Sequence, residues 1–330
     1  MEYRKINNTD LELSSIALGC WQFSGDEMWG SQEDRDSVDA VHAALDSGVN
    51  FFDTAEVYGD GKSEEVLGTA LMGKRDRAIV ATKSWGPTYG SVELVESCEK
   101  SLKRLQSDHI DIYQIHWPRP EAAPVDHIFE GVRRLKESGK IRYFGVCNYG
   151  VKDMSELLTS GEFVTNQLCY SLLWRGIEYE ILPLCEKKGI GIFTYSTLVH
   201  GLLSGKYVKL DEFPKPRARS MHFSSQRPGV RHGQSGQEVL TEKSLSKIRG
   251  LCDEAGVSMF EAAFGWAIHR PQITSVIAGA RNREQALGNA GIADIKFPDG
   301  FLASLTDATD DLKKAFGNQV DPWEYPGRIR

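Results

Sequence analysis

The chain has 330 residues, 41% of them apolar and 26% charged, with a formal net charge of −7. That apolar content can bury a large core, and the negative balance, with no dense basic stripe, argues against nucleic acid as a main partner. No run reaches the ~18 uninterrupted apolar residues of a membrane span, residues 1–10 hold no apolar signal core, and the six cysteines are scattered without CxxC pairs, so the expectation is a cytoplasmic chain with reduced thiols, no metal and no membrane partner.

In chain order, residues 3–13 read as a β-hairpin around the turn Asn7-Asn8-Thr9-Asp10. A strand–helix rhythm follows. Strands are expected at 16–19, 51–53, 78–83, 110–116, 141–147, 164–168, 191–195 and 275–278. Helices are expected at 34–47, 63–71, 92–105, 125–138, 151–159, 179–188, 240–254, 259–269, 283–290 and 302–316. Ser63 reads as a helix N-cap, and Pro118, Pro120 and Pro124 stiffen the loop after the fourth barrel strand. Eight strand–helix units in a chain of this length fit an α/β fold, a (β/α)8 barrel formed as one domain over residues 1–330. A doubly wound sheet would carry a Gly-rich phosphate turn after its first strand. Here that position reads Leu18-Gly19-Cys20-Trp21-Gln22-Phe23. One segment breaks the rhythm. Residues 197–237 lack periodicity and hold Pro214, Pro216, Pro228, Arg217, Arg219, Arg227 and Arg231. A loop that long after the seventh strand reads either as a solvated insertion or as a mobile clamp on an anionic ligand.

Asp53, Lys83 and His116 close three strand-like runs, and Tyr58 follows Asp53 within a short loop. Parallel strands alternating with helices bring their C-terminal ends to one face, so these four groups can meet. A phenol near its ordinary pKa of about 10 is a weak acid at neutral pH, and a nearby ammonium lowers it. Lys83 can supply that ammonium, and Asp53 its counter-charge. His116 can orient a carbonyl. The result is a general acid aimed at an oxygen that gains negative charge. No protein side chain transfers hydride, so a nicotinamide cofactor is implied.

The stretches Gly48-Val49-Asn50-Phe51-Phe52-Asp53-Thr54-Ala55, Tyr58-Gly59, Ser63-Glu64, Ile115-His116-Trp117-Pro118, Gly139-Lys140-Ile141-Arg142, Gly145-Val146-Cys147-Asn148 and Gly201-Leu202-Leu203-Ser204-Gly205-Lys206-Tyr207 resemble the aldo-keto reductase superfamily over essentially the whole chain. The last stretch, with the length, resembles its bacterial and channel-β-subunit branches. The resemblance implies Asp53, Tyr58, Lys83 and His116 as the catalytic tetrad of a reversible carbonyl reductase that uses NADP(H), with NADH left open. It places Cys147, Asn148 and Gln167 at the nicotinamide carboxamide and Tyr195 on the nicotinamide ring. Ser196, Leu198, Gly201 and Lys206 fall at the pyrophosphate, with Arg219 in the loop above it. Cys20 and Trp21 edge the nicotinamide and substrate pocket, and Asp53 also contacts the cofactor. Gly279 and Arg281 fall at the adenosine 2′-phosphate, Gln285 and Asn289 at the adenine. Cys147 stands where serine is usual, Gly288 where an acid is frequent, and Ala278 where proline is frequent.

Trp21, Tyr58, His116, Trp117, Tyr149 and Trp85 are expected around a small carbonyl substrate; aromatic walls suit flat apolar aldehydes and also sugars, and the positive loop suits an anionic sugar. Trp29 and Trp174 are left open between mouth and core. The end of the chain, 323–330, is left open between crossing the barrel, pairing in a homo-oligomer and disorder. Two other readings set the alternatives: a cofactor-sensing module of the channel-β-subunit type with slow turnover, and a metal-dependent hydrolase. The hydrolase needs several strand-end ligands, and only Asp53 and His116 qualify.

Overall fold

The computed structural model describes residues 1–26, 28–85, 89–118, 123–323 and 329–330. Pro120 and the tail residues 324–328 lie outside them. Strands β1 (Tyr3–Lys5) and β2 (Glu12–Ser14) form the antiparallel hairpin. Eight parallel strands then close a barrel: β3 (Ile16–Gly19), β4 (Phe51–Asp53), β5 (Ile79–Ser84), β6 (Ile110–Ile115), β7 (Ile141–Cys147), β8 (Thr165–Cys169), β9 (Gly191–Tyr195) and β10 (Ser275–Gly279). Each pairs with its successor, and β10 returns to β3 through Val276 opposite Ile16.

The period of two along each strand decides what reaches the mouth. Ala17, Phe51, Ala81, Ile112 and Phe193 form one inner cluster. Their neighbours Ile16, Leu18, Phe52, Val80 and Tyr113 belong to the larger cluster beneath the helices. Phe51 and Phe193 meet at 4.6 Å between ring centres, and a fully buried phenylalanine contributes about 1.5–3 kcal/mol. The hairpin closes the floor by adding Ile6, Leu11 and Leu13 to the inner cluster. Two residues above this plug stand Asp53, Lys83 and Tyr195, one pleat repeat on from Phe51, Ala81 and Phe193. The fold thus delivers polar side chains to the C-terminal rim.

The outer ring comprises α1 (Asp34–Asp46), α2 (Lys62–Leu71), α3 (Ser91–Leu105), α4 (Val125–Glu137), α5 (Val151–Leu157), α6 (Ile181–Lys188), α7 (Glu238–Ala255), α8 (Met259–Ile268), α9 (Arg283–Gly291), α10 (Phe301–Ala308) and α11 (Asp310–Phe316). Several boundaries shift from the sequence reading, and two of the shifts have a visible cause. The N-cap of α2 is Gly61, at φ +90°, and the Ser63 hydroxyl instead donates to the Cys20 carbonyl at 2.7 Å. The expected helix 302–316 breaks at Thr309, because Arg175 Nη1 donates to the Thr306 carbonyl at 2.8 Å and to Thr309 Oγ1 at 3.1 Å. That guanidinium satisfies backbone the helix would otherwise pair.

The segment 197–237 packs part of its length onto the barrel and leaves the rest exposed. It contains three 3-10 turns, Val199–Ser204, Leu210–Glu212 and Lys215–Arg217, and buries Leu202, Leu203, Leu210, Phe213, Met221 and Phe223. Arg227 pins it by ion pairs to Asp211 and Glu238 at 2.8 and 2.5 Å. His222 is wholly buried, with Nε2 2.9 Å from the Leu173 carbonyl and Nδ1 2.9 Å from Ser220 Oγ. Burial pulls its imidazole down to about 4. The unfolded chain therefore binds the proton more readily, so this histidine's contribution is intact above pH 6.5 and is lost as pH falls toward 4. Urea unfolding should lose about 3 kcal/mol across that window from this group. His222→Gln should flatten the loss, and an unchanged pH dependence in the variant would discount His222 as the cause.

Candidate active site

Asp53, Lys83 and Tyr58 converge at the rim. Lys83 Nζ donates to Asp53 Oδ1 and to the Thr54 carbonyl, both at 2.7 Å, and lies 3.4 Å from the Tyr58 hydroxyl. Lys83 is fully buried, and Asp53 is 3% exposed. Asp53 Oδ2 accepts from Gln167 Nε2 at 2.7 Å, so both carboxylate oxygens are engaged by donors. Burial pushes the Asp53 carboxyl up, against the pull of Lys83. Burial is the strongest single influence on Lys83 and works to discharge it, but the groups facing it, Asp53 foremost, together hold the amine up. Two donors on the carboxylate and an amine held up describe a charged pair.

Tyr58 departs from the sequence reading in direction. Burial raises the phenol above its ordinary pKa by more than Lys83 lowers it. The hydroxyl is therefore firmly protonated at neutral pH. Trp21 stacks on the Tyr58 ring at 5.6 Å, and His116 meets it edge-on at 5.8 Å. Trp85, 37% exposed, also meets His116 edge-on, at 5.0 Å. Trp117 is half-buried beside it in sequence. Trp29 joins the mouth, 5.4 Å from Trp21, with the Arg217 guanidinium 5.6 Å over its ring. Trp174 is core, packed on Phe316. Tyr149, expected at the mouth, is 5% exposed and packs with the core residues.

Next to the tetrad lie the expected carboxamide residues. Asn148, at φ +64°, donates through Nδ2 to the His116 carbonyl at 3.1 Å, and its Oδ1 accepts from the Tyr195 hydroxyl at 2.7 Å. The Cys147 thiol faces Gln167 Oε1 at 3.6 Å, and burial keeps it protonated. Cys20 is buried one residue from Trp21.

Beyond β9 the backbone is unusual. Ser196, Val199 and His200 have φ of +58°, +47° and +54°, and Gly201 +111°. Left-handed residues so close together cost energy and form the concave turns that collect amide groups around anions. Thr197 Oγ1 is buried there with no hydrogen-bond partner among the described residues. Leu198 is in this turn; Lys206 is exposed after it; Arg219 is half-buried in the packed segment. Across the groove, a Cβ on Gly279 would sit 2.1 Å from Gln22 Nε2, so glycine permits this close approach. Asn289 Nδ2 donates to the Gly279 carbonyl at 3.1 Å, and Gln285 Oε1 accepts from the Arg281 amide at 2.9 Å. The residues expected at the cofactor thus stand after β9 and after β10, strands that pair with each other.

Gln32 is a residue the sequence reading missed. Its Oε1 accepts from Arg281 Nε at 2.8 Å, its Nε2 donates to the Arg281 carbonyl at 2.7 Å, and Arg281 Nη2 also donates to the Ser31 carbonyl. No local signal could find a clasp across 249 residues. The described ends of the tail are anchored separately. Trp323 stacks on His200 at 4.5 Å, and Arg330 pairs with Asp153 at 2.8 Å on α5.

The opposite face of the barrel has a groove of about 480 Å³ between Arg75, Asp111 and Arg142. Its guanidiniums are engaged by Asp111 and Asp10, which is floor-stabilising chemistry. Among the described residues, no cluster of three or more His, Cys, Asp or Glu could hold a metal ion, and no helix is long and apolar enough to cross a membrane.

A closed parallel barrel whose rim gathers a phenol, a buried ammonium–carboxylate pair and an imidazole beside a left-handed backbone turn has the make-up of the barrel oxidoreductases. Comparison with known proteins is specific. Residues 15–310 match the model of the Aldo/keto reductase family. The chain is 35% identical over 295 residues to Aldo-keto reductase YhdN of Bacillus subtilis, covering 86% of each. It superposes on the glycerol dehydrogenase AKR11B4 of Gluconobacter oxydans with a TM-score of 0.79, at 31% identity, over 97% of this chain and 98% of the other. An aldo/keto reductase from Klebsiella pneumoniae solved with NADP and acetate gives a TM-score of 0.74 at 27% identity, over 98% of this chain and all of the other. The chain belongs to the aldo/keto reductase family, and is a carbonyl oxidoreductase.

Proposed function

We propose that the chain reduces an aldehyde or ketone of a small metabolite to the alcohol, reversibly, with NADP(H) as cofactor and Tyr58 as the general acid. The observation that carries this is the Lys83 ammonium 3.4 Å from a protonated phenol and 2.7 Å from a buried carboxylate. When bound, the nicotinamide supplies the hydride. Everything else falls to side chains. Tyr58 releases its proton to the carbonyl oxygen as that oxygen becomes an alkoxide, a stronger base than phenolate. Lys83 stabilises the phenolate left behind, and Asp53 keeps Lys83 charged through the cycle. His116 orients the carbonyl, and the wall of Trp21 and Trp85 shields it from water.

Asn148 and Gln167 are read as carboxamide partners, Tyr195 as the ring's stacking face, the left-handed turn after β9 as the pyrophosphate seat, and Arg281 as the 2′-phosphate partner. Support for NADP(H) comes from the guanidinium at the groove's end and from the NADP complex of the Klebsiella pneumoniae relative. For substrate, the indole walls and Arg217 suit a sugar or other polyol carbonyl, including an anionic one. A polyol substrate is also named for the Gluconobacter oxydans relative.

The test is an initial-rate screen of NADPH oxidation against sugar aldehydes, dihydroxyacetone, aryl aldehydes and methylglyoxal. Rapid turnover with one class supports the reading. Tight NADPH binding without turnover on any of them would refute it. Cofactor choice is tested separately. Arg281→Ala should weaken NADPH by about 1.5–3 kcal/mol, the range of a charged hydrogen bond. NADH should bind almost as before. Equal losses for both in a fluorescence titration would give Arg281 a structural role through its Gln32 clasp.

A further inference from the structure

Glu56 lies between Asp53 and Tyr58, and the mechanism above does not use it. Its amide donates to the Lys83 carbonyl at 3.3 Å, which continues the pairing of β4 with β5 past the strand end. Its carboxylate reaches into the next strand–helix unit. Oε1 accepts from the Trp85 amide, and Oε2 accepts from Ser97 Oγ at 2.6 Å. Ser97 is almost buried, accepts from the Tyr113 hydroxyl at 3.0 Å, and lies 3.1 Å from Ser84 Oγ. The carboxylate is thus braced on α3 and holds the first residue beyond β5.

That residue carries an indole edge-on to His116. Two of the indoles at the mouth, Trp21 and Trp85, are held by different carboxylates. Trp21 is fixed through its own Nε1, which donates to Asp26 Oδ2 at 3.0 Å. Trp85 is fixed at its backbone by Glu56. We infer that Glu56 is a positioning residue for substrate, which sets the distance between the Trp85 wall and the His116–Tyr58 pair by clipping the Trp85 amide to α3. The inference rests on the carbonyl-reductase reading above, and it makes the gap between two indoles the feature that selects flat or ring-faced carbonyl compounds. The link from Glu56 to Lys83 runs through backbone, so replacing the side chain leaves the proton-transfer groups in place and acts on substrate fit.

The experiment is a double-mutant cycle read in KM and kcat. Glu56→Ala should raise KM for the best carbonyl substrate roughly five- to tenfold, with kcat held within about threefold. NADPH affinity by fluorescence and the pH–rate profile should not move. Trp85→Ala should give a similar rise, and the double variant should be no worse than either. Glu56→Gln keeps one acceptor for the Trp85 amide and should return KM to within about twofold. Ser97→Ala removes the brace without altering the loop and should raise KM in the same direction. It serves if Glu56→Ala does not fold. Multiplying effects in the cycle, or an unmoved KM in both Glu56→Ala and Ser97→Ala, would overturn the link. A Tyr58→Phe enzyme that keeps its turnover would instead fail the parent reading.

Discussion

Tyr58→Phe is expected to lower kcat by 10²–10⁴, the usual worth of a positioned proton donor, while NADPH binding and folding stay intact. The ring, its stack on Trp21 and its edge contact with His116 all survive the substitution. Only the hydroxyl 3.4 Å from Lys83 is lost. Because burial holds that phenol above its ordinary pKa, the wild-type group keeps its proton at neutral pH until the forming alkoxide takes it. Single-turnover measurements would isolate the chemical step. More than a tenth of wild-type activity in that step would exclude Tyr58 as the acid.

The second large effect is expected from Asp53→Asn. The carboxylate accepts from both Lys83 and Gln167, and a single amide oxygen cannot serve both. Its NH₂ must then face one of these donors. Lys83 becomes a buried cation without a counter-charge, a change that typically costs about 3–5 kcal/mol. In the wild type, burial pulls the Lys83 pKa down but the groups facing it, Asp53 foremost, together raise it, so the Lys83 contribution is complete below the unfolded value of 10.5 and is lost only at higher pH. In the variant the foremost group opposing burial is gone, and the folded pKa is expected to drop below 10.5. The unfolded chain then binds the proton more readily, and the variant's stability rises with pH toward 10.5. Urea unfolding at pH 7 and pH 9 should show the deficit shrinking at the higher pH, with activity reduced at both. A pH-independent deficit under about 1 kcal/mol would dissolve the proposed Asp53–Lys83–Tyr58 coupling.

The barrel and the four central residues were legible because their signals are local. Phe51, Phe52 and Asp53 show strand, pleat and rim within three residues, and the apolar spacing of α1 and α3 stands out unaided. What sequence hid depends on partners far along the chain. Ser63 looks like a cap until Cys20 takes its hydroxyl. Thr309 shows no break until Arg175 arrives from 134 residues away. The segment 197–237 has no period because it packs by turns around Phe213, Met221 and Phe223, so its missing pattern resembles disorder. Tyr149 sits near the expected substrate residues in sequence, yet burial turns it into the core. The direction of the Tyr58 shift turns on how deeply the ring is enclosed, which no spacing of residues reveals.

Closure of the barrel joins Ile16 to Val276. On a ribosome adding about 5–20 residues per second, the first barrel strand acquires its last neighbour roughly 13–50 s after it is made. Until then the growing barrel has two open edges, and β3 and β9 each present unpaired amides and carbonyls to other nascent chains. The rim is incomplete for as long, because the left-handed turn after β9 faces a wall that β10 has yet to supply. A truncation ending before Ser275 would keep Asp53, Tyr58, Lys83 and His116 in its sequence and should nevertheless aggregate and fail to hold cofactor, so the last strand works as the checkpoint for the whole chain.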